Sequence, residues 1–171
     1  MPITSSITET NVFTVLRAFI LTIVTCEVIR LPNNRTPMPL GAFVAMSPGA
    51  NIPLSTNVTA YAATTKGVER ASQLSIQIDC YGPGSADMAT AISTLLRDPY
   101  ACDQFSASGF DIAPLYAGDA HQMPLVDGEA QYEERWTFDA VLQFNPILTA
   151  PQDSAIALVA NIYDVDRTFP P

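Results

Sequence analysis

Apolar and polar residues alternate along Gln131–Asn145, QYEERWTFDAVLQFN, more regularly than anywhere else in the chain. Tyr132, Trp136, Phe138, Ala140, Leu142 and Phe144 fall on one side, with Glu134 the only charge among them. Gln131, Glu133, Arg135, Thr137, Asp139, Gln143 and Asn145 fall on the other, with Val141 the only aliphatic. A period of two predicts an antiparallel strand with one buried and one wet face, about 45 Å long at the usual rise. A strand of that length projects beyond the core of a small domain and invites a second copy or a partner.

Helical spacing governs the N-terminal part. Val12, Phe13, Leu16, Phe19, Ile20, Ile23 and Val24 recur on one face after Ser6-x-x-Glu9, which reads as a capping box, with Arg17 on the polar side. Glu27–Leu31 is β-like, and Pro32, Asn33-Asn34, Pro37 and Pro39 then stop regular structure. Ala42–Met46 reads as a short strand before the loop SPGANIP. Thr56–Thr64 and Val68–Tyr81 flank Thr65-Lys66-Gly67 and predict a hairpin, its second arm a central strand with Leu74, Ile76, Ile78 and Cys80 inward.

Gly82-Pro83-Gly84 breaks that strand, and Ser85 is expected to cap a second helix through Arg97, with Met88, Ala89, Ile92, Leu95 and Leu96 on one side. Asp98-Pro99 ends it or starts a short helix through Phe105. Ser106–Gly128 reads as a long loop. Ile156–Tyr163 predicts a last strand apolar on both faces, followed by an irregular tail, Asp164–Pro171. Helix, strands, helix, strands in one domain spanning 1–171 imply an α+β fold, an antiparallel sheet with two main helices on one face.

Composition narrows the functions available. The 171 residues are 48% hydrophobic and 15% charged, with a mean hydropathy of +0.19, which fits a thick core or apolar surface covered by neighbouring subunits. A formal charge of −9 with eight Lys and Arg excludes wrapping of nucleic acid. Cys26, Cys80 and Cys102 form no CxxC pair, and His121 is the one histidine, so neither a zinc site nor a disulfide scaffold is expected. No apolar stretch approaches the roughly 20 residues of a membrane span. The chain reads as soluble and unexported.

Candidate chemistry is sparse. No GxSxG elbow accompanies His121. Glu133 and Glu134, as strand neighbours, point to opposite faces and do not pair for acid–base work. Gly82-Pro83-Gly84 before a helix lacks the spacing of a phosphate loop. Asp111, Asp119, Asp127 and Glu129 share one loop but not the spacing of a calcium loop. Arg135, within an aromatic strand, needs a carboxylate, either Asp79 across the sheet or a group on another subunit.

The order and spacing of VFTVLRAFI, QIDCYGPGSADMATAISTLLRDPYACDQF, PLYAGDAHQMPL, the alternating strand and NPILTAPQ resemble the neck or tail-terminator (tail completion) proteins of tailed bacteriophages, from about Asn11 to Phe169. The resemblance implies a structural virion protein, made in the host cytoplasm, without cofactors or catalytic residues. Such a protein forms a hexameric ring that ends the tail tube and faces the head connector or stopper, with a tail sheath as a further partner and DNA passing without specific binding. It also implies that a long hairpin involving Gln131–Asn145, and the preceding loop, lie at ring or tube interfaces. Glu133, Arg135, Trp136, Asp139, His121 and Gln122 are the interface candidates. Asp111, Asp119, Asp127 and Glu129 are candidates for charge along the channel. A related head–tail adaptor or tube component is the nearest alternative, and a small acidic hydrolase or metal-dependent enzyme the alternative from another class.

Overall fold

The computed structural model describes residues 2–31, 38–123, 125, 126 and 132–153. Among them are twelve strands and three helices: the two main ones expected and the short one that Asp98-Pro99 could start. The first helix, α1 (Glu9–Leu21), follows a two-residue strand, β1 (Thr4–Ser5). Its cap is Thr8, whose hydroxyl accepts from the Asn11 N–H while the Asn11 side chain accepts from the Thr8 N–H. The expected cap, Ser6, is engaged elsewhere, accepting the Ile147 N–H at 2.9 Å. Val12, Phe13, Val15, Leu16, Phe19 and Ile20 point into the core.

A sheet of six strands receives that helix. Its order is β2 (Glu27–Arg30), β3 (Phe43–Pro53), β6 (Ser72–Tyr81), β11 (Arg135–Phe144) and β7 (Ile112–Ala117), with β8 (His121–Gln122) also on β11. Every pairing is antiparallel except β2 with β3. All ten residues of β11 face β6, from Arg135 opposite Tyr81 to Phe144 opposite Ser72. Leu74, Ile76, Ile78 and Cys80 share one buried cluster with Phe138, Ala140, Leu142 and Phe144. That cluster also takes Ala89, Ile92 and Leu96 of α2 (Ser85–Leu96) and Ala101 and Phe105 of α3 (Pro99–Ser106). Phe19 and Phe105, ring centroids 5.6 Å apart, close the contact between α1 and α3. Each fully buried side chain of this kind contributes roughly 1.5–3 kcal/mol.

On the opposite face, Ile29, Phe43, Ala45 and Tyr81 form a small cluster of their own. Phe43 and Tyr81 stack with centroids 4.5 Å apart and planes 11° from parallel.

Several boundaries differ from the sequence expectation. SPGANIP is no loop: β3 runs through it, with a register shift between Pro48 and Asn51. Gly49 permits this, because a Cβ there would stand 2.9 Å from the Ser75 carbonyl oxygen. The hairpin turn is Ala62–Thr64, and Thr65-Lys66-Gly67 belongs to β5 (Thr65–Glu69), which pairs with β4 (Val58–Tyr61). Helix α2 is capped by Gly84, at φ 81°, without a side-chain bond, and Ser85 lies inside the helix. Asp98 caps α3 through the Tyr100 N–H. The predicted long loop Ser106–Gly128 contains β7, β8 and the two-residue strand Leu125–Val126; alternation there is cut by Pro114, acceptable on an edge, and by Gly118. The predicted strand Ile156–Tyr163 and tail Asp164–Pro171 lie outside the described residues.

Two extensions leave the body from opposite ends of β11. At one end, β12 (Ile147–Pro151) follows β11 and β5 precedes β6, and together with β1 and β4 they make a second sheet in the order β1-β12-β5-β4. At the other end, β9 (Leu125–Val126) pairs with β10 (Tyr132–Glu133) in the same register that joins His121 to Thr137 and Gln122 to Trp136. These strands form one hairpin that passes Tyr81, the last residue of β6.

Candidate functional site

The alternating segment supplies the chemistry at the hairpin end. Arg135 enters the sheet opposite Tyr81, and its guanidinium reaches diagonally to Asp79, with Nη2 at 2.9 Å and Nε at 3.1 Å from Oδ1. Gln77 Nε2 donates to both Asp79 oxygens at 3.0 Å. Asp79 is 2% exposed, so its charge is carried almost wholly by these bonds. Of the two partners open to Arg135 from sequence, the structure forms the one within the chain. The guanidinium carbon also lies 5.6 Å from the Tyr81 ring centre. Burial, then the Asp79 charge, push the Tyr81 hydroxyl above its ordinary range, against the lowering effect of Arg135.

Glu133 and Glu134 do not separate as ideal strand neighbours would. Both are exposed and line one depression of about 300 Å³ with Gly41, Gly82 and Pro83. The alternation breaks at Glu134, between β10 and β11, where the Gly82 N–H donates to the Glu134 carbonyl at 3.0 Å. Trp136 is half-buried against the main core, and Asp139 is exposed in mid-strand. His121 and Gln122, expected in a loop, stand on β8 beside Thr137 and Trp136, both exposed. His121 Nδ1 is 3.3 Å from the Asp119 carbonyl.

The four acidic candidates are not gathered by the described residues. Asp111 and Asp119 flank opposite ends of β7, roughly 20 Å apart by strand rise. Asp111 accepts from Asn145 Nδ2 at 2.8 Å, and Asp119 pairs with Arg97 at 3.2 Å. Arg97 is held by the Ala117 carbonyl and lies 4.9 Å from the Tyr116 ring centre. Asp127 and Glu129 lie outside the described residues. No group of three or more His, Cys, Asp or Glu is placed for a metal among the described residues, and no described helix is long and apolar enough to cross a membrane.

A second surface was not singled out from sequence. The arm sheet β1-β12-β5-β4 exposes every residue of β4 and most of β12. On or beside it stand Ile3, 68% exposed, Val58, 64%, and Tyr61, 72%, with Ile52, Leu54 and Leu148 near half exposed. The signal lay in residues 36–65, where no charged side chain occurs. An uncharged stretch with several Thr, Ala and Pro reads as ordinary turn composition, and that concealed it. The outer edges of β1 and β4 are unpaired among the described residues.

Among solved structures, the chain is similar to the sheath/tube terminator, in its extended state, of an extracellular contractile injection system, PVC. The two share 14% identity with a TM-score of 0.47, over 95% of this chain and 64% of that one, so this chain spans about two-thirds of that protein's length. It is also similar to a chain of the native gene transfer agent virion, at 17% identity and a TM-score of 0.30, over 81% of this chain and 92% of that one. No curated protein sequence matches it. A family model described as phage neck terminator protein matches residues 10–167, and with nearly the whole length accounted for, the chain belongs to that family.

Proposed function

We propose that the protein is a structural, non-enzymatic ring component of the virion neck, six single-domain copies of which end the tail tube and join it to the head connector or stopper. The observation that carries this is the arm: a thin four-stranded sheet whose two edges are unpaired among the described residues, with solvent-facing Ile3, Val58 and Tyr61. A monomer gains nothing from such a surface, since free edges and apolar patches promote uncontrolled association. A closed ring turns both into subunit contacts.

The hairpin at the opposite end of β11 would then meet a different component, the tube, a sheath or the connector, through His121, Gln122, Glu133 and Trp136. Arg135 holds its base and Asp139 flanks it. With a formal charge of −9 per chain, six copies repel the phosphate backbone and let DNA pass without sticking. Asp111, Asp119, Asp127 and Glu129 are the charges proposed to flank the channel.

Electron microscopy of the purified protein, alone and mixed with purified tail tubes, tests the reading. Six-fold rings at tube ends are expected. A monomer that leaves tube ends bare overturns it, and decoration along the tube wall makes the protein a tube component instead.

A further inference from the structure

The arm's hydrogen-bonding register shows how copies meet. The Ala62 N–H donates to the Thr65 carbonyl at 2.8 Å, which fixes the inward-bonding residues of β4. Bonding alternates along an antiparallel ladder, so Ala62, Ala60 and Val58 bond toward β5. Thr59 and Tyr61 therefore direct their N–H and C=O groups to the open edge. At the other side of the sheet the Ser6 N–H donates to the Ile147 carbonyl at 3.0 Å. By the same alternation Ser6 and Thr4 bond toward β12, and Ile3 and Ser5 present their backbone outward. Each edge, open among the described residues, thus offers two residues, spaced two apart.

Strand sense and face agree as well. β1 is antiparallel to β12, β12 to β5, and β5 to β4, so β1 and β4 run in opposite directions. Tyr61 stands opposite Lys66, and Lys66 opposite Ala150. Thr4 stands opposite Thr149, which puts Ile3 beside Ala150. Ile3, Ala150, Lys66 and Tyr61 form one row across the sheet; Ser5, Leu148, Val68 and Thr59 form the next row on the same face. A neighbouring copy placed beside β4 continues both rows without a register slip.

We propose that β4 of one copy pairs antiparallel with β1 of the next, Tyr61 opposite Ile3 and Thr59 opposite Ser5. Each arm sheet then runs on into its neighbour's. The pairing rests on the ring reading above and names the contact that makes the ring. An aromatic opposite a β-branched residue is a favourable cross-strand pair, and the two side chains are among the most exposed apolar groups described. Charge permits the approach. Residues 48–72 carry Lys66 and Arg70 against Glu69 alone, in a chain of formal charge −9, so the arm is the part another acidic copy can approach without repulsion. The two edges differ, so the contact is head-to-tail and generates a ring rather than a two-fold dimer.

The test uses full-length protein assembled on tail tubes. Ile3→Cys with Tyr61→Cys, in a Cys102→Ser background because Cys102 is exposed, is oxidised and run on a non-reducing gel. A ladder of cross-linked subunits up to the closed ring is expected, with each variant that carries only one of the two introduced cysteines remaining monomeric. A Tyr61→Cys single variant that cross-links to itself shows β4 pairing with β4 and overturns the proposal, as do rings that form without any cross-link. Tyr61→Pro removes an outward N–H, a change tolerated on an edge strand. It should leave circular dichroism unchanged and lower the fraction of ring-capped tubes by about tenfold or more. Normal capping by Tyr61→Pro sinks the edge pairing and leaves the ring reading standing; bare tube ends with the unmodified protein sink both.

Discussion

Replacing Arg135 by Leu removes the one cation that, among the described residues, pairs with the buried carboxylate of Asp79. Two charge-assisted bonds, 2.9 and 3.1 Å long, disappear, and Gln77 remains as the partner. Breaking a buried pair by deleting one member costs about 3–5 kcal/mol, because the other charge stays desolvated. The Arg135 side chain is 19% exposed, so water replaces some of what is lost and the low end applies. Loss of the contact with the Tyr81 ring adds roughly 0.5 kcal/mol, giving an expected destabilisation of about 3.5 kcal/mol. Replacing both Asp79 and Arg135 by Leu leaves no orphaned charge and should come within about 1 kcal/mol of the parent. Urea unfolding followed by fluorescence of Trp136, the only tryptophan, measures all three free energies in one cycle. A single variant within 1 kcal/mol of the parent, or a double variant worse than the single one, would refute the reasoning.

Trp136→Ala should cost about 2 kcal/mol by circular dichroism melts, roughly half the penalty of a fully buried aromatic, because the ring only half enters the core; a loss above 4 kcal/mol would contradict that placement. Ser85→Ala should leave stability unchanged or raise it by up to about 1 kcal/mol, since the buried Ser85 hydroxyl has no hydrogen-bond partner among the described residues; a clear loss in urea would expose a partner that the hydroxyl satisfies. Burial pushes the Cys80 thiol from 9.0 up to about 12, so the unfolded chain gives up this proton first and stability falls as pH rises between those values. Cys80→Ala should flatten that slope in pH-dependent urea titrations, and an unchanged slope would assign it to other groups. At pH 8 a thiol reagent should modify exposed Cys102 in the native protein, with half-buried Cys26 slower, and spare Cys80, which rapid modification of all three thiols would disprove.

Periodicity revealed the body of the fold because the body is where burial enforces it. Leu74, Ile76, Ile78 and Cys80 alternate since one face of β6 meets helices, and Val12, Leu16, Phe19 and Ile20 recur since one face of α1 meets the sheet. The helix caps misled because Ser6 and Ser85 are good capping residues drawn into other roles, one to a strand N–H and the other to the interior. β7 and β8 were invisible as strands, being short edge segments held by cross-strand bonds to β11 rather than by a pattern of their own. Of the arm, the β4–β5 hairpin was legible from its turn, with the turn itself misplaced by a few residues. β1 and β12 escaped for a related reason, since a sheet wet on both sides needs no alternation. Of the candidate residues, the partner of Arg135 was legible as a chemical need, while the gathering of Glu133 and Glu134 at one depression depended on a break at Glu134 that no periodicity encodes.

The single strand β11 touches both extensions, flowing into β12 at the arm and continuing from β10 at the hairpin. A pull between the two ends therefore travels along covalent backbone. The load spreads sideways into ten paired residues of β6, so the ladders of β3 and β7 are sheared along their length rather than unzipped one bond at a time. Bonds loaded together share the force, and the three helices lie beside this path instead of on it. Repacking the helical layer would change how stable the subunit is while leaving its stiffness from end to end nearly as before.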